Sequence, residues 1–98
     1  MIYAEILGII RSALRNEEKP TITRIQLKVN VPFVRFKEYW DDLKVRGLIN
    51  AESEISLTKE GERYLEEYRK VREFLEEFGF IKEEEEDDDD NTENDKIN

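Results

Sequence analysis

Apolar residues recur along this chain at spacings of three and four, broken by polar turns, and that rhythm predicts four helices with a short hairpin between the third and the fourth. Tyr3, Ile6, Leu7, Ile10 and Leu14 share one face of a helix over residues 2–16, and Ile9 and Ala13 widen that face. So wide a face suits burial against more than one neighbour. Asn16 to Pro20 reads as a polar loop, in which Pro20 keeps Lys19 extended. Thr21 is a suitable cap for a short second helix, with Ile22, Ile25 and Val29 on one face and Leu27 nearby. Asn30 tolerates left-handed dihedrals and stops that helix. Pro32 suits the first turn of the next.

The third helix, about 32–46, buries Phe36, Tyr39, Trp40 and Leu43 by periodicity. Lys44 and Arg46 in its last turn complement the helix dipole, and Gly47 ends it. Leu48-Ile49 and Ile55-Ser56-Leu57 read as two short strands, with Asn50 to Glu54 as the turn between them. Thr58 then caps a long helix to about Phe78, stopped by Gly79, with Phe80 folding back on the last turn. Short helix, tight turn, longer helix, glycine stop, hairpin and helix is the order of a winged helix-turn-helix. The expected fold class is mainly α with a small β-hairpin wing, and with a long C-terminal helix added.

Charge sharpens the picture because it is unevenly placed. The whole chain carries a net charge of −9. Residues 81–98 hold two lysines against ten acids, a net of −8. Such a segment has too little apolar surface to fold, and it reads as a disordered acidic tail behind a domain of residues 1–80. Residues 19–46 hold seven basic residues against three acidic ones, a net of +4, so the helix-turn-helix is the basic part of the chain.

The second helix of such a motif enters the major groove while the first braces it on the backbone. Thr23, Arg24 and Lys28 have the hydroxyl and cationic chemistry that phosphates take. On the third helix the face opposite Phe36, Trp40 and Leu43 is Val34, Glu38 and Asp41, with Arg35 and Lys37 on its flanks. Arg35 and Lys37 suit guanine edges or phosphates, Phe33 and Val34 suit a thymine methyl, and Lys44 is a further phosphate contact. Glu38 and Asp41 repel phosphate, although a carboxylate can accept from cytosine N4. Lys37 and Asp41 are four residues apart and are placed to neutralise each other. The simpler reading of these charges is a solvated helix face. The wing, Asn50-Ala51-Glu52-Ser53-Glu54, has two acids and no cation, so little DNA affinity is expected from it.

In the last helix Tyr64, Tyr68, Val71, Leu75 and Phe78 are spaced 4, 3, 4 and 3, a heptad seam at about 58–78. It serves either the chain's own core or a dimer. A helix of about 20 residues is roughly 30 Å long, more than a small winged helix needs, which favours a homodimer interface.

Other functions find little support. The chain has no histidine and no cysteine, so the commonest general base and thiolate metal sites are missing. No Gly-rich phosphate loop and no EF-hand spacing occurs. No enzyme activity, cofactor or metal is expected. No apolar run reaches the length of a membrane span, and no secretory pattern opens the chain, so an intracellular, cytoplasmic protein is expected.

Asn30-Val31-Pro32, Tyr39, Leu43, Gly47-Leu48-Ile49 and Leu57-Thr58-Lys59-Glu60-Gly61 stand in an order that resembles the archaeal winged helix-turn-helix DNA-binding proteins. That family is typified by the small crenarchaeal ten-kilodalton proteins, and small winged-helix proteins of archaeal viruses look similar too. The resemblance spans about residues 2–80. It implies a homodimer held by an antiparallel coiled coil of the last helices, with two winged helices outboard on double-stranded DNA. Glu38, Asp41 and the acidic wing depart from that pattern. They favour a selective transcriptional regulator over a general DNA coat. The alternative is a winged-helix protein-interaction module that has lost DNA binding.

Overall fold

The computed structural model describes residues 2–80. Its elements run α1 (Ile2–Arg15), α2 (Ile22–Val29), α3 (Phe33–Val45), β1 (Ile49–Asn50), β2 (Ser56–Leu57) and α4 (Lys59–Glu77). The acidic tail expected over 81–98 lies outside the described residues. By its contacts the chain divides after Tyr68 into two units, one ending at Tyr68 and one beginning at Arg69.

In the first unit, Ala4, Ile6, Leu7 and Ile10 of α1 meet Ile25 and Val29 of α2 and Phe36, Trp40 and Leu43 of α3 in one core, joined by Leu48, Ile49 and Leu65. The Phe36 and Trp40 rings stack at 5.7 Å, one turn apart on α3. Leu14, expected on the buried face of α1, is exposed in the last turn. That turn closes on an unexpected residue: Glu17 takes a left-handed conformation (φ 58), and the Glu18 amide reaches the Ala13 carbonyl at 2.8 Å. A glycine is the usual choice there, because a Cβ crowds the following carbonyl.

Capping sets the α2–α3 turn. The Thr21 side chain accepts the Arg24 amide at 3.2 Å, and Asn30 ends α2 in the left-handed region with its amide on the Gln26 carbonyl. The Gln26 side-chain amide then donates to the Val31 carbonyl at 2.6 Å, which ties the turn to the helix before it.

The Gly-Leu-Ile and Leu-Thr-x-x-Gly segments form one clasp. Gly47 (φ 75) turns the chain out of α3, and the Leu48 amide bonds back to the Leu43 carbonyl at 3.0 Å. Leu48 is thereby driven into the core. Thr58 grips the same corner: its Oγ1 donates to the Gly47 carbonyl at 2.6 Å, and its amide donates to the Leu48 carbonyl at 3.2 Å. The same Oγ1 accepts the Gly61 amide at 3.0 Å, which caps α4. Gly61 is required because the Leu48 carbonyl lies against it, and a Cβ there would stand 2.2 Å from that oxygen. The strands between are short, with Ile49 opposite Leu57 and Asn50 opposite Ser56.

In the second unit, the last turns of α4 carry the ion pairs Arg69–Glu73 and Arg72–Glu76. The Phe74 and Phe78 rings meet at 4.8 Å. Gly79 (φ 78) closes the helix as expected, with the Phe80 amide on the Leu75 carbonyl at 2.8 Å.

Candidate nucleic-acid interface

With one face of α3 in the core, the rest of the helix divides into a ridge and two flanks. Val34, Glu38 and Val45 stand on the exposed ridge, and Asp41 beside them is half-buried. On one flank Phe33, Lys37, Asp41 and Lys44 join Ile22, the first residue of α2, around a cleft of about 170 Å³ floored by Phe36 and Trp40. Lys44 also borders a second, more open cleft of about 480 Å³ with Ile49, Asn50, Ala51, Glu52 and Thr58. The start of α2, this flank of α3 and the base of the wing therefore make one continuous surface.

The opposite flank is Arg35, Tyr39, Asp42 and Arg46. The Arg35 guanidinium donates to the Tyr39 hydroxyl at 3.4 Å, and the Tyr39 ring meets Tyr3 of α1 edge-on at 5.9 Å. The Tyr3 hydroxyl donates to the Asp42 carboxylate, which also accepts Arg46 Nε at 2.6 Å. Those two donors, Tyr3 first, hold the Asp42 carboxyl below its ordinary value. The same carboxylate, helped by partial burial, pushes the Tyr3 hydroxyl up. This contact fixes the start of α1 to the last turns of α3.

The signs of the two shifts differ in their consequences. A depressed Asp42 contributes stability that is present above its unfolded value of about 3.9 and is lost as pH falls through the folded value. A raised Tyr3 contributes stability that is present below about 10 and is lost as pH rises through its folded value. Tyr3→Phe is therefore expected to lower the melting temperature most between about pH 4 and pH 10, with the two curves converging at both extremes. Melting temperatures measured from acid to alkali check this. A constant offset across the whole range would mean that the contact is packing alone.

A family profile described as winged helix-turn-helix matches residues 1–76. The chain belongs to the winged helix-turn-helix family. No curated protein and no solved structure gives a significant match.

In this winged helix, α2 and α3 are the helix-turn-helix and the β1–β2 hairpin is the wing. The candidate residues do not gather in one patch. Thr23, Arg24 and Lys28 are exposed on α2, with Arg24 and Lys28 one turn apart, and among the described residues neither cation has an ion-pair partner. Phe33, Lys37 and Lys44 share the cleft flank, Val34 stands on the ridge, and Arg35 lies on the tyrosine flank. Lys37 and Asp41 neutralise each other as their spacing predicts, at 3.0 Å, and Lys44 joins them. Arg46 was not among the sequence candidates. Its signal is its place eleven residues, three helical turns, after Arg35 on the same flank. Glu52 and Glu54 keep the wing acidic and exposed, and Asn50 Oδ1 accepts the Glu52 amide at 3.3 Å to form its turn.

The seam residues of α4 divide. Tyr64 and Tyr68 are half-buried and pack against the core of the first unit, beside Gly61 and Leu65, which are buried. Val71, Phe74 and Phe78 are exposed and Leu75 is half-buried. Sequence spacing followed the tyrosines and missed Leu65, their smaller neighbour, as the α4 residue that enters the core. Among the described residues no helix is long and apolar enough to cross a membrane.

Proposed function

We propose that this protein is a homodimeric, intracellular transcriptional regulator that reads duplex DNA with α3. The observation that carries the reading is the layout of α3, a projecting ridge of Val34 and Glu38 with cations on both flanks. A major groove about 12 Å wide admits one helix, whose flanks then face the two phosphate walls and whose ridge faces base edges. Arg35 and Arg46 suit one wall, and Lys37 and Lys44 the other. Arg24 and Lys28 of α2 add contacts outside the groove. Val34 suits a thymine methyl and Glu38 the amino group of cytosine. The exposed Val71, Phe74 and Phe78 are offered as the dimer surface, in keeping with the resemblance to archaeal coiled-coil dimers.

A salt titration of duplex binding tests this. With about four phosphates neutralised per protomer, and so about eight per dimer, affinity is expected to fall about 10⁴-fold between 50 and 200 mM salt. Affinity that ignores salt, or no binding at 50 mM, would rule the reading out and leave the interaction-module alternative.

A further inference from the structure

Of the four cations on α3 and its C-cap, Lys37 and Lys44 are engaged by a single carboxylate. Lys37 Nζ donates to Asp41 Oδ2 at 3.0 Å, and Lys44 Nζ lies 3.8 Å from Asp41 Oδ1. Each carboxylate oxygen thus faces one lysine. The three side chains are 61%, 47% and 48% exposed for Lys37, Lys44 and Asp41, so an incoming phosphate can reach all of them. Among the described residues Asp41 has no other hydrogen-bond or ion-pair partner. Asp42, one residue on, pairs with Arg46 at 2.6 Å but is also bound to Tyr3 of α1, so it serves the fold as well.

We infer that Asp41 is an internal substitute for a DNA phosphate, which occupies Lys37 and Lys44 and lowers affinity for duplex of arbitrary sequence. The inference rests on the reading of α3 as the DNA-facing helix. Lys37, Asp41 and Lys44 together carry a net charge of +1 where two free lysines would carry +2. A phosphate approaching either lysine must displace a carboxylate that also repels it. Fewer counterions are then released on binding, and their release is what drives sequence-independent affinity. Arbitrary sequence offers only phosphates to offset the displacement. A matched site adds base contacts to the ridge. The loss therefore falls harder on random DNA, and Asp41 raises selectivity by weakening the wrong complexes.

The test is a mutant cycle on a duplex of random sequence, with Asp41→Asn, the pair Lys37→Ala with Lys44→Ala, and all three changes together. Asp41→Asn is expected to bind roughly tenfold tighter at 0.1 M salt, with a slope of log affinity against log salt steeper by about one. Between the double-lysine parent and the triple variant the gain is expected to be much smaller, because most of it passes through those lysines. An equal gain in both backgrounds would show plain charge repulsion and overturn the clamp, and so would no gain in the wild-type background. If neither the wild type nor any variant binds duplex at 50 mM salt, the DNA-binding reading falls and the inference falls with it.

Discussion

Gly61→Ala is expected to destabilise the domain by about 3 kcal/mol or more, a drop in melting temperature on the order of 15–20 °C. Elsewhere in a helix the same change is favourable, because alanine loses less backbone freedom than glycine on folding. Here the new methyl would stand 2.2 Å from the Leu48 carbonyl oxygen, well inside contact distance. A flexible side chain could rotate away. This oxygen is backbone, held by the Thr58 amide, and the adjoining carbonyl is held by the Thr58 hydroxyl. Relief requires α4 to part from the corner after α3, which exposes Leu48 and Leu65 and strains the hairpin. Gly8 of α1 supplies the contrast, since a Cβ there meets nothing within 4 Å. Gly8→Ala is expected to stabilise by about 0.5–1 kcal/mol. Thermal unfolding of the two variants beside the wild type decides the matter. A melting temperature for Gly61→Ala within a degree or two of wild type would show that the corner yields and that the clasp is not rigid.

That corner also marks the line between what the sequence discloses and what it conceals. The caps at Thr21, Asn30, Thr58 and Gly79 were legible because each acts within a few residues of itself. The burial of Phe36, Trp40 and Leu43 was legible because helical periodicity is local. The reason for Gly61 was not, because its partner is thirteen residues away across a hairpin, and nothing in the spacing announces that approach. The Tyr3–Asp42 bond was hidden for the same reason, as it joins residues thirty-nine apart. Within the candidate interface, the Lys37–Asp41 pair was legible as an i, i+4 neighbour. Lys44 as a second partner of the same carboxylate needed the rotamers. Arg35 and Lys37 looked equivalent in the sequence. The structure separates them, one toward Tyr39 and one toward the cleft. Removing both strips one cation from each proposed phosphate wall.

Charge on α3 can then be read flank by flank. Arg46 is bound by a carboxylate that also anchors α1, so freeing it would disturb the fold. Lys37 and Lys44 are bound by a carboxylate with no such tie. Arg35 donates to the Tyr39 hydroxyl rather than to a carboxylate and is the most available cation of the four. If α3 faces DNA as proposed, Arg35 supplies the constant grip and the cleft flank the conditional one. In the same proposal the exposed Glu52 and Glu54 of the wing would repel phosphate.

Replacing Phe74 and Phe78 together with serine is expected to convert a dimer to a monomer and to weaken binding to a two-half-site duplex by about 10²–10⁴-fold. The two rings pack on each other at 4.8 Å and are 53% and 61% exposed, so the change removes little of the described packing. Two copies of Val71, Phe74, Leu75 and Phe78 can bring together on the order of 1,000 Å² of mostly apolar surface, near the lower bound for a specific interface. Tyr64 and Tyr68 are committed to the first unit, so residues 71–78 must supply most of that area. α4 has 19 residues and is about 28 Å long, which lets antiparallel partners overlap through this segment. Once dimerised, each winged helix raises the effective concentration of the other on adjacent half-sites. Sedimentation gives the mass of each variant, and titrations of one- and two-half-site duplexes give the affinities. The reading requires that affinity for a single half-site stays unchanged while affinity for the double site drops. A wild type that sediments as a monomer at micromolar concentration would remove the dimer from the proposal, and a variant that stays dimeric would move the interface away from Phe74 and Phe78.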